Sequence, residues 1–228
     1  MVRSFSQGWV VIEAGPRKQE YGAHLDVLLS RSPYFRAMLS GPYVESTYGV
    51  VHFPHDDAEI VHAYVHYLYH GTILLYGADT IKSDDEGHKE PHDEWIFPIT
   101  LWTFADKIQD VRFADTVMDA VIRKTHDVDA EGNCTFPIGD AVKAAYENTV
   151  SRNSPIRRLL IDQHVKHGSP AWLEDDDWRT VDAMFVLDLT KTMMDERHMP
   201  LNPRLDDLVD TCHYHSHQDG ECYKQKTA

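Results

Sequence analysis

Apolar and polar positions change their period several times along the first seventy residues, and each change marks an element. Trp9-Val10-Val11-Ile12-Glu13 is β-branched and aromatic and is closed by Gly15-Pro16, which predicts a strand ending in a turn. Lys18 to Tyr21 predicts its hairpin partner, after which Leu25, Leu28 and Leu29 recur at helical spacing. Ser32-Pro33 reads as an N-cap with proline at the first helical position. It launches Tyr34, Phe35, Met38 and Leu39 on one face until Gly41-Pro42. Val50-Val51-His52-Phe53 is again strand-like. Asp56 or Asp57 caps the next helix, in which Ile60, Tyr64 and Leu68 share a face, and Gly71 stands where a left-handed residue closes it. Ile73 to Tyr76 predicts one more strand.

The second half is helical in pattern. Pro98, Ile99, Leu101, Trp102, Ala105 and Ile108 mark one helix, and Phe113, Val117, Val121 and Ile122 mark another over about Arg112 to Thr125. Val142, Tyr146 and Val150 predict a third. Ser154-Pro155 opens and Gly168 closes a fourth, and Asp176 or Asp177 caps a last one carrying Trp178, Val181, Phe185 and Leu189. Between Gly77 and Glu94 seven acidic residues and two lysines leave almost nothing to bury, which predicts a solvated insertion. Beyond Pro200 the chain turns polar and histidine-rich, and a loosely held tail is expected. Strands gathered at the start with helices after them give an α+β class.

Composition narrows the function. With 228 residues, 42% of them hydrophobic, the chain can bury one substantial core or two small ones. A net charge of −15, with basic clusters no larger than pairs such as Arg157-Arg158, argues against nucleic acid as the main partner. Fifteen histidines make that charge sensitive to pH. Three cysteines suit a reducing compartment, and Met1 to Gly8 has no apolar core of a secretory signal. The acceptor pattern Asn133-Cys134-Thr135 is therefore read as chance. No apolar run reaches the length of a spanning helix, so no membrane partner is expected, and the location is cytoplasmic or nuclear.

Reaction machinery is sparse. The sequence has no Gly-x-Ser-x-Gly elbow, no phosphate-binding glycine loop, no His-Glu-x-x-His and no Cys-x-x-Cys, and a non-catalytic protein is expected. One cluster has chemistry: Cys212, His215, His217 and Cys222 bring two thiols and two imidazoles within eleven residues, a set suited to tetrahedral zinc. The competing reading is a plain polar tail, since the spacing is not a common structural-site pattern. His62, His66 and His70 form a second stripe, read as the solvated face of the helix that ends at Gly71.

The junction residues resemble the BTB/POZ family. The likeness runs through Val11-Ile12, Gly15, His24, Leu28-Leu29, Ser30-Arg31-Ser32-Pro33-Tyr34-Phe35, Val50, Phe53, Tyr67-Leu68-Tyr69-His70-Gly71-Thr72-Ile73 and Ala105-Asp106-Lys107-Ile108-Gln109. Short proteins with an acidic insertion and a helical C-terminal region are similar to a large group known mainly from fungi. The resemblance implies a BTB/POZ domain over 1–127, interrupted by the insertion at 77–94, then a helical extension over 128–198 and a Cys/His-rich polar tail over 199–228. It implies a small mixed sheet flanked by helices, with Tyr34 and Phe35 as core anchors and His24 as a structural histidine, and an activity that consists of binding other proteins. Some members dock a cullin scaffold as ubiquitin-ligase adaptors through a hydrophobic, any residue, Glu pattern after the second helix. Tyr43-Val44-Glu45 occupies that place, against the alternative that Tyr43 packs on its own domain. Gln7-Gly8-Trp9 replaces the acidic residue that dimeric members carry before the first strand, and only eight residues precede Trp9. A monomer or a weakly held homodimer is therefore expected.

Overall fold

The computed structural model describes residues 8–40, 49–73, 75, 93–128, 132, 134–173, 181–196, 211–218 and 221–224. Tyr43-Val44-Glu45, nearly all of the acidic insertion, and Leu74 and Tyr76 of the expected extra strand lie outside them. The chain divides into two compact units, one of residues 1–74 and 104–116 and the other of residues 75–103 and 117–228.

The first unit holds strands β1 (Trp9–Ala14), β2 (Gln19–His24) and β3 (Val50–Phe53), and helices α1 (Leu25–Arg31), α2 (Pro33–Ser40) and α3 (Ala58–His70). The sheet order is β2-β1-β3. β1 pairs antiparallel with β2, Trp9 opposite His24 and Ala14 opposite Gln19, and parallel with β3, Val11 opposite Val50 and Ala14 opposite Phe53. Alternation sends Val10, Ile12 and Ala14 inward from β1, where they meet Val51 and Phe53 of β3. Gly15 turns the chain with φ 69°, a conformation that costs glycine nothing.

Helices seal this sheet with an aromatic core. Phe35 stacks on Tyr64 at 6.0 Å between centroids, and Tyr64 lies 4.9 Å from Phe113 and 5.8 Å from Phe104. Phe53 meets Phe104 edge-on at 5.3 Å. Tyr34 is half-buried and stacks on Phe53. Ser32, expected only as a cap, does two things: its hydroxyl accepts from the Phe35 N–H at 3.3 Å and donates to the Ile108 carbonyl. Asp57, rather than Asp56, caps α3 by accepting from the Glu59 N–H at 2.8 Å, and Gly71 closes it with φ 68°. Asp56 instead pairs with Lys107 at 2.6 Å. His24 holds the β2–α1 junction: its backbone N–H donates to the Tyr69 hydroxyl, and its Nδ1 lies 2.8 Å from the same oxygen. The histidine stripe of α3 is mostly solvated: His62 and His70 are exposed, and His66 stacks on His70 at 4.2 Å.

Helices α4 (Ile96–Lys107) and α5 (Val111–Lys124) contribute residues to both units. The second unit adds α6 (Gly139–Glu147), α7 (Pro155–His167) and α8 (Ala183–Glu196), with α7 packed on both α6 and α8. Trp95, Ile99, Trp102, Val117, Val121, Leu159, Leu160 and Phe185 are among its fully buried side chains. Arg157 is buried, not part of a basic patch. Its guanidinium donates to the Thr149 hydroxyl at 2.6 Å and to the Tyr146 carbonyl at 2.8 Å, and it lies over the Tyr146 ring.

Three expectations need correction in this unit. Val150 is fully exposed because α6 ends at Glu147, three residues before it. The last helix starts at Ala183, capped by Asp182, whose carboxylate accepts from the Met184 N–H at 2.6 Å; Val181 precedes it, and Asp176, Asp177 and Trp178 lie outside the described residues. The described residues beyond 210 are not loosely held: Thr211, Tyr214, His215 and Cys222 are buried. Polar contacts to α5 and α7, absent from any hydrophobic pattern, hold them there. Among the described residues no helix is long and apolar enough to cross a membrane.

Candidate functional site

A short 3-10 turn, Thr211–Tyr214, starts the cluster by placing Cys212 and aiming the following chain back, with the His215 N–H donating to the Cys212 carbonyl at 3.1 Å. The Glu221 N–H bonds the Gln218 carbonyl at 3.1 Å and returns Cys222 to the same spot. As a result one ligand atom each from Cys212, His215, His217 and Cys222 lies within 4.8 Å of all the others. His215 Nδ1 is 3.1 Å from His217 Nε2 and 3.8 Å from Cys222 Sγ. A tetrahedral zinc with bonds of about 2.0–2.3 Å would place nitrogen about 3.3 Å from nitrogen and about 3.5 Å from sulfur. These two spacings sit close to those values. Cys134 stands apart, exposed, on an isolated bridge opposite Val128.

The outer faces of both imidazoles are fixed. His217 Nδ1 is 2.7 Å from the Gln218 carbonyl, which only accepts, so this nitrogen carries the proton. His215 Nε2 is 2.9 Å from Asp119 Oδ1, and a carboxylate likewise accepts. With protons on those outer nitrogens alone, His215 Nδ1 and His217 Nε2 would turn bare lone pairs toward each other, with Cys222 sulfur beside them. Such an arrangement is repulsive until a proton or a cation comes between them.

Asp119, on α5, is the residue that sequence reasoning missed. Its side chain is 2% exposed, yet it accepts from His215, from the Thr211 and Tyr223 hydroxyls, and from Lys224 at 2.9 Å. Burial alone would raise its carboxyl, but these donors outweigh that and hold it below the ordinary carboxylate range. Its register offers only a faint signal: Asp115 and Asp119, four residues apart, are both buried on a helix whose apolar positions lie beside them. On α7, Asp162 accepts from the Tyr214 hydroxyl at 2.9 Å, and burial raises its carboxyl.

A recess of about 500 Å³ is lined by Arg152, Arg158, Lys191, Asp188 and Asp195 among others. Cations and carboxylates line it together, so it selects neither sign of charge. The other candidate, Tyr43-Val44-Glu45, falls outside the described residues, in the segment between the end of α2 at Ser40 and the start of β3 at Val50.

A mixed three-stranded sheet sealed by helices, with Phe35, Phe53, Tyr64, Phe104 and Phe113 turned inward, defines an α+β scaffold. The model of the BTB/POZ domain family matches residues 9–83, and the chain carries a BTB/POZ domain there. Domains of this family bind other proteins, so the chain contains a protein-protein interaction module of a generally non-enzymatic kind. No curated protein matches the chain.

Proposed function

We propose that this chain is a substrate adaptor that brings other proteins to a cullin-type ubiquitin ligase. The presence of the BTB/POZ domain carries this reading. Tyr43-Val44-Glu45 supports it, since the segment follows the second helix, where adaptor members place a hydrophobic residue, any residue and Glu. Tyr43 would fill an apolar pocket on the cullin and Glu45 would set its orientation, the economy of a small hot spot. The domain would span 1–127, the helices of 128–198 would offer a second surface for the protein to be modified, and the chain would work in the cytoplasm or nucleus. With Gln7-Gly8-Trp9 before β1, the adaptor is a monomer or a weakly held dimer; light scattering at micromolar concentration that detects only stable dimer removes that part. The main test is binding to a cullin N-terminal region by the intact chain, by Tyr43→Ala and by Glu45→Lys. The variants should bind at least about tenfold more weakly. Equal binding by all three eliminates the contact, and no binding by any eliminates the adaptor role.

A second reading rests on a separate observation, the four converging donors. In it, Cys212, His215, His217 and Cys222 hold a structural zinc that stabilises the C-terminal part of the chain. Elemental analysis of protein purified without an affinity tag should find close to one zinc per chain. Less than about a tenth of an equivalent sinks it, because a structural site of this donor set retains its metal through purification.

A further inference from the structure

Resting on the zinc reading, we infer that Asp119 is the positioning carboxylate of the metal site, selecting Nδ1 of His215 as the ligand atom and tying the site to α5. The four donors come from the C-terminal residues alone, but the orientation of His215 does not. Its ring has two nitrogens that differ only in what surrounds them. Nε2 faces Asp119 Oδ1 at 2.9 Å and the Thr211 hydroxyl at 3.1 Å, while Nδ1 faces His217 and Cys222. A carboxylate that keeps the proton on Nε2 leaves the Nδ1 lone pair for the metal and makes the imidazole a stronger donor.

The rest of the Asp119 environment argues for the same role. The Thr211 hydroxyl donates to the carboxylate, and the Lys224 ammonium lies 2.8 Å from that hydroxyl and 2.9 Å from Asp119 Oδ2. Tyr223, next to the ligand Cys222, donates its hydroxyl to Asp119. One buried carboxylate therefore meets a residue adjacent to each end of the ligand set, Thr211 beside Cys212 and Tyr223 beside Cys222, as well as the central ligand His215. It fixes where the donors converge as well as which nitrogen points inward. Negative charge held on the far side of the imidazole from the metal also offsets the dication without occupying a coordination position.

The experiment compares zinc affinity, by competition with a chromophoric chelator, in the full-length chain and in Asp119→Asn, Asp119→Ala and Asp162→Ala. Asp162→Ala loosens the same residues through Tyr214 without touching a ligand, so it measures docking alone. Asp119→Ala should bind zinc about 10–100-fold more weakly than the intact chain, and Asp162→Ala should fall short of that loss. Long-range nitrogen-proton NMR of the zinc-loaded intact chain should show His215 coordinated through Nδ1 with the proton on Nε2, a readout that stands even where a variant fails to fold. Coordination through Nε2, an unchanged affinity in folded Asp119→Ala, or an equal loss in Asp162→Ala overturns the assignment while leaving the zinc reading intact. Absence of zinc binding by the intact chain overturns both.

Discussion

His164 should make the second unit acid-labile, and its surroundings allow the size of the effect to be worked out. The side chain sits on α7, almost wholly buried, with the Phe185 ring 4.9 Å and the Trp172 ring 5.4 Å from its own. Its Nδ1 donates to the Leu160 carbonyl at 2.7 Å. Burial disfavours the imidazolium and lowers the pKa to about 4, while the Leu160 carbonyl pulls weakly the other way. In the unfolded chain the same group titrates near the usual value of about 6.5, so the unfolded state takes up its proton first as pH falls. The stability that neutral His164 allows is therefore complete above about pH 6.5 and is lost progressively between about 6.5 and 4. At about pH 5 the loss relative to about pH 7.5 is roughly 2 kcal/mol, at about 1.4 kcal/mol per unit of separation between the two titrations. Urea denaturation followed by tryptophan fluorescence at the two pH values, on the intact chain and on His164→Phe, isolates this contribution from that of the other histidines. The intact chain should lose about 2 kcal/mol more than the variant on acidification. Parallel losses in the two proteins would refute the reasoning, since they would mean that His164 is protonated in the folded state or opens to water at little cost.

Ser32→Ala should cost about 1–3 kcal/mol, because it leaves the buried Ile108 carbonyl and Phe35 N–H without the hydroxyl that serves both; thermal denaturation with an unshifted midpoint would contradict this. Phe35→Ala removes a ring that is wholly buried against Tyr64 and Phe53, so a loss of about 3–5 kcal/mol, read as a fall in the urea midpoint, is expected. Gly71→Ala places a Cβ in open space but at φ 68°, so backbone strain alone should lower stability by about 1 kcal/mol, measured by the same titration. On the zinc reading, a strong chelator should expose Cys212 and Cys222 to a thiol reagent at a rate far above that of the untreated protein, with Cys134 reacting at once in either case.

Much of the first unit was legible because its turns are written in residues with few alternatives. Gly15 can take a positive φ, Ser32 followed by Pro33 opens a helix, Asp57 caps one and Gly71 ends one, and the apolar period between these marks is unambiguous. Pairing was less legible. That β3 runs parallel to β1, over thirty-five residues away, depends on the crossover that α1 and α2 provide, and no local pattern encodes it. In the second unit the helices were visible but their limits were not: aspartates at 176, 177 and 182 are equivalent as letters, and only the backbone of α8 selects Asp182. The four donors of the candidate site could be named from spacing because thiols and imidazoles are rare. Asp119 could not, since one of the two aspartates on α5 carries no mark of the residues ninety positions later that use it.

The C-terminal residues show why polar docking escapes a hydrophobic reading. Tyr214 and Cys222 are the apolar side chains they bury; the other buried members, Thr211 and His215, are polar and are satisfied by Asp119. Ordering backbone costs about 1–2 kcal/mol per residue, and a hydrogen bond exchanged with water returns only about 1 kcal/mol. Two apolar anchors and a handful of such bonds therefore fall short of offsetting the entropy of twelve described residues. The proposed zinc would add a source of binding energy at the centre of the four converging donors. On the zinc reading, coordination bonds would supply energy of the required size, and docking of these residues and filling of the site would be a single coupled equilibrium.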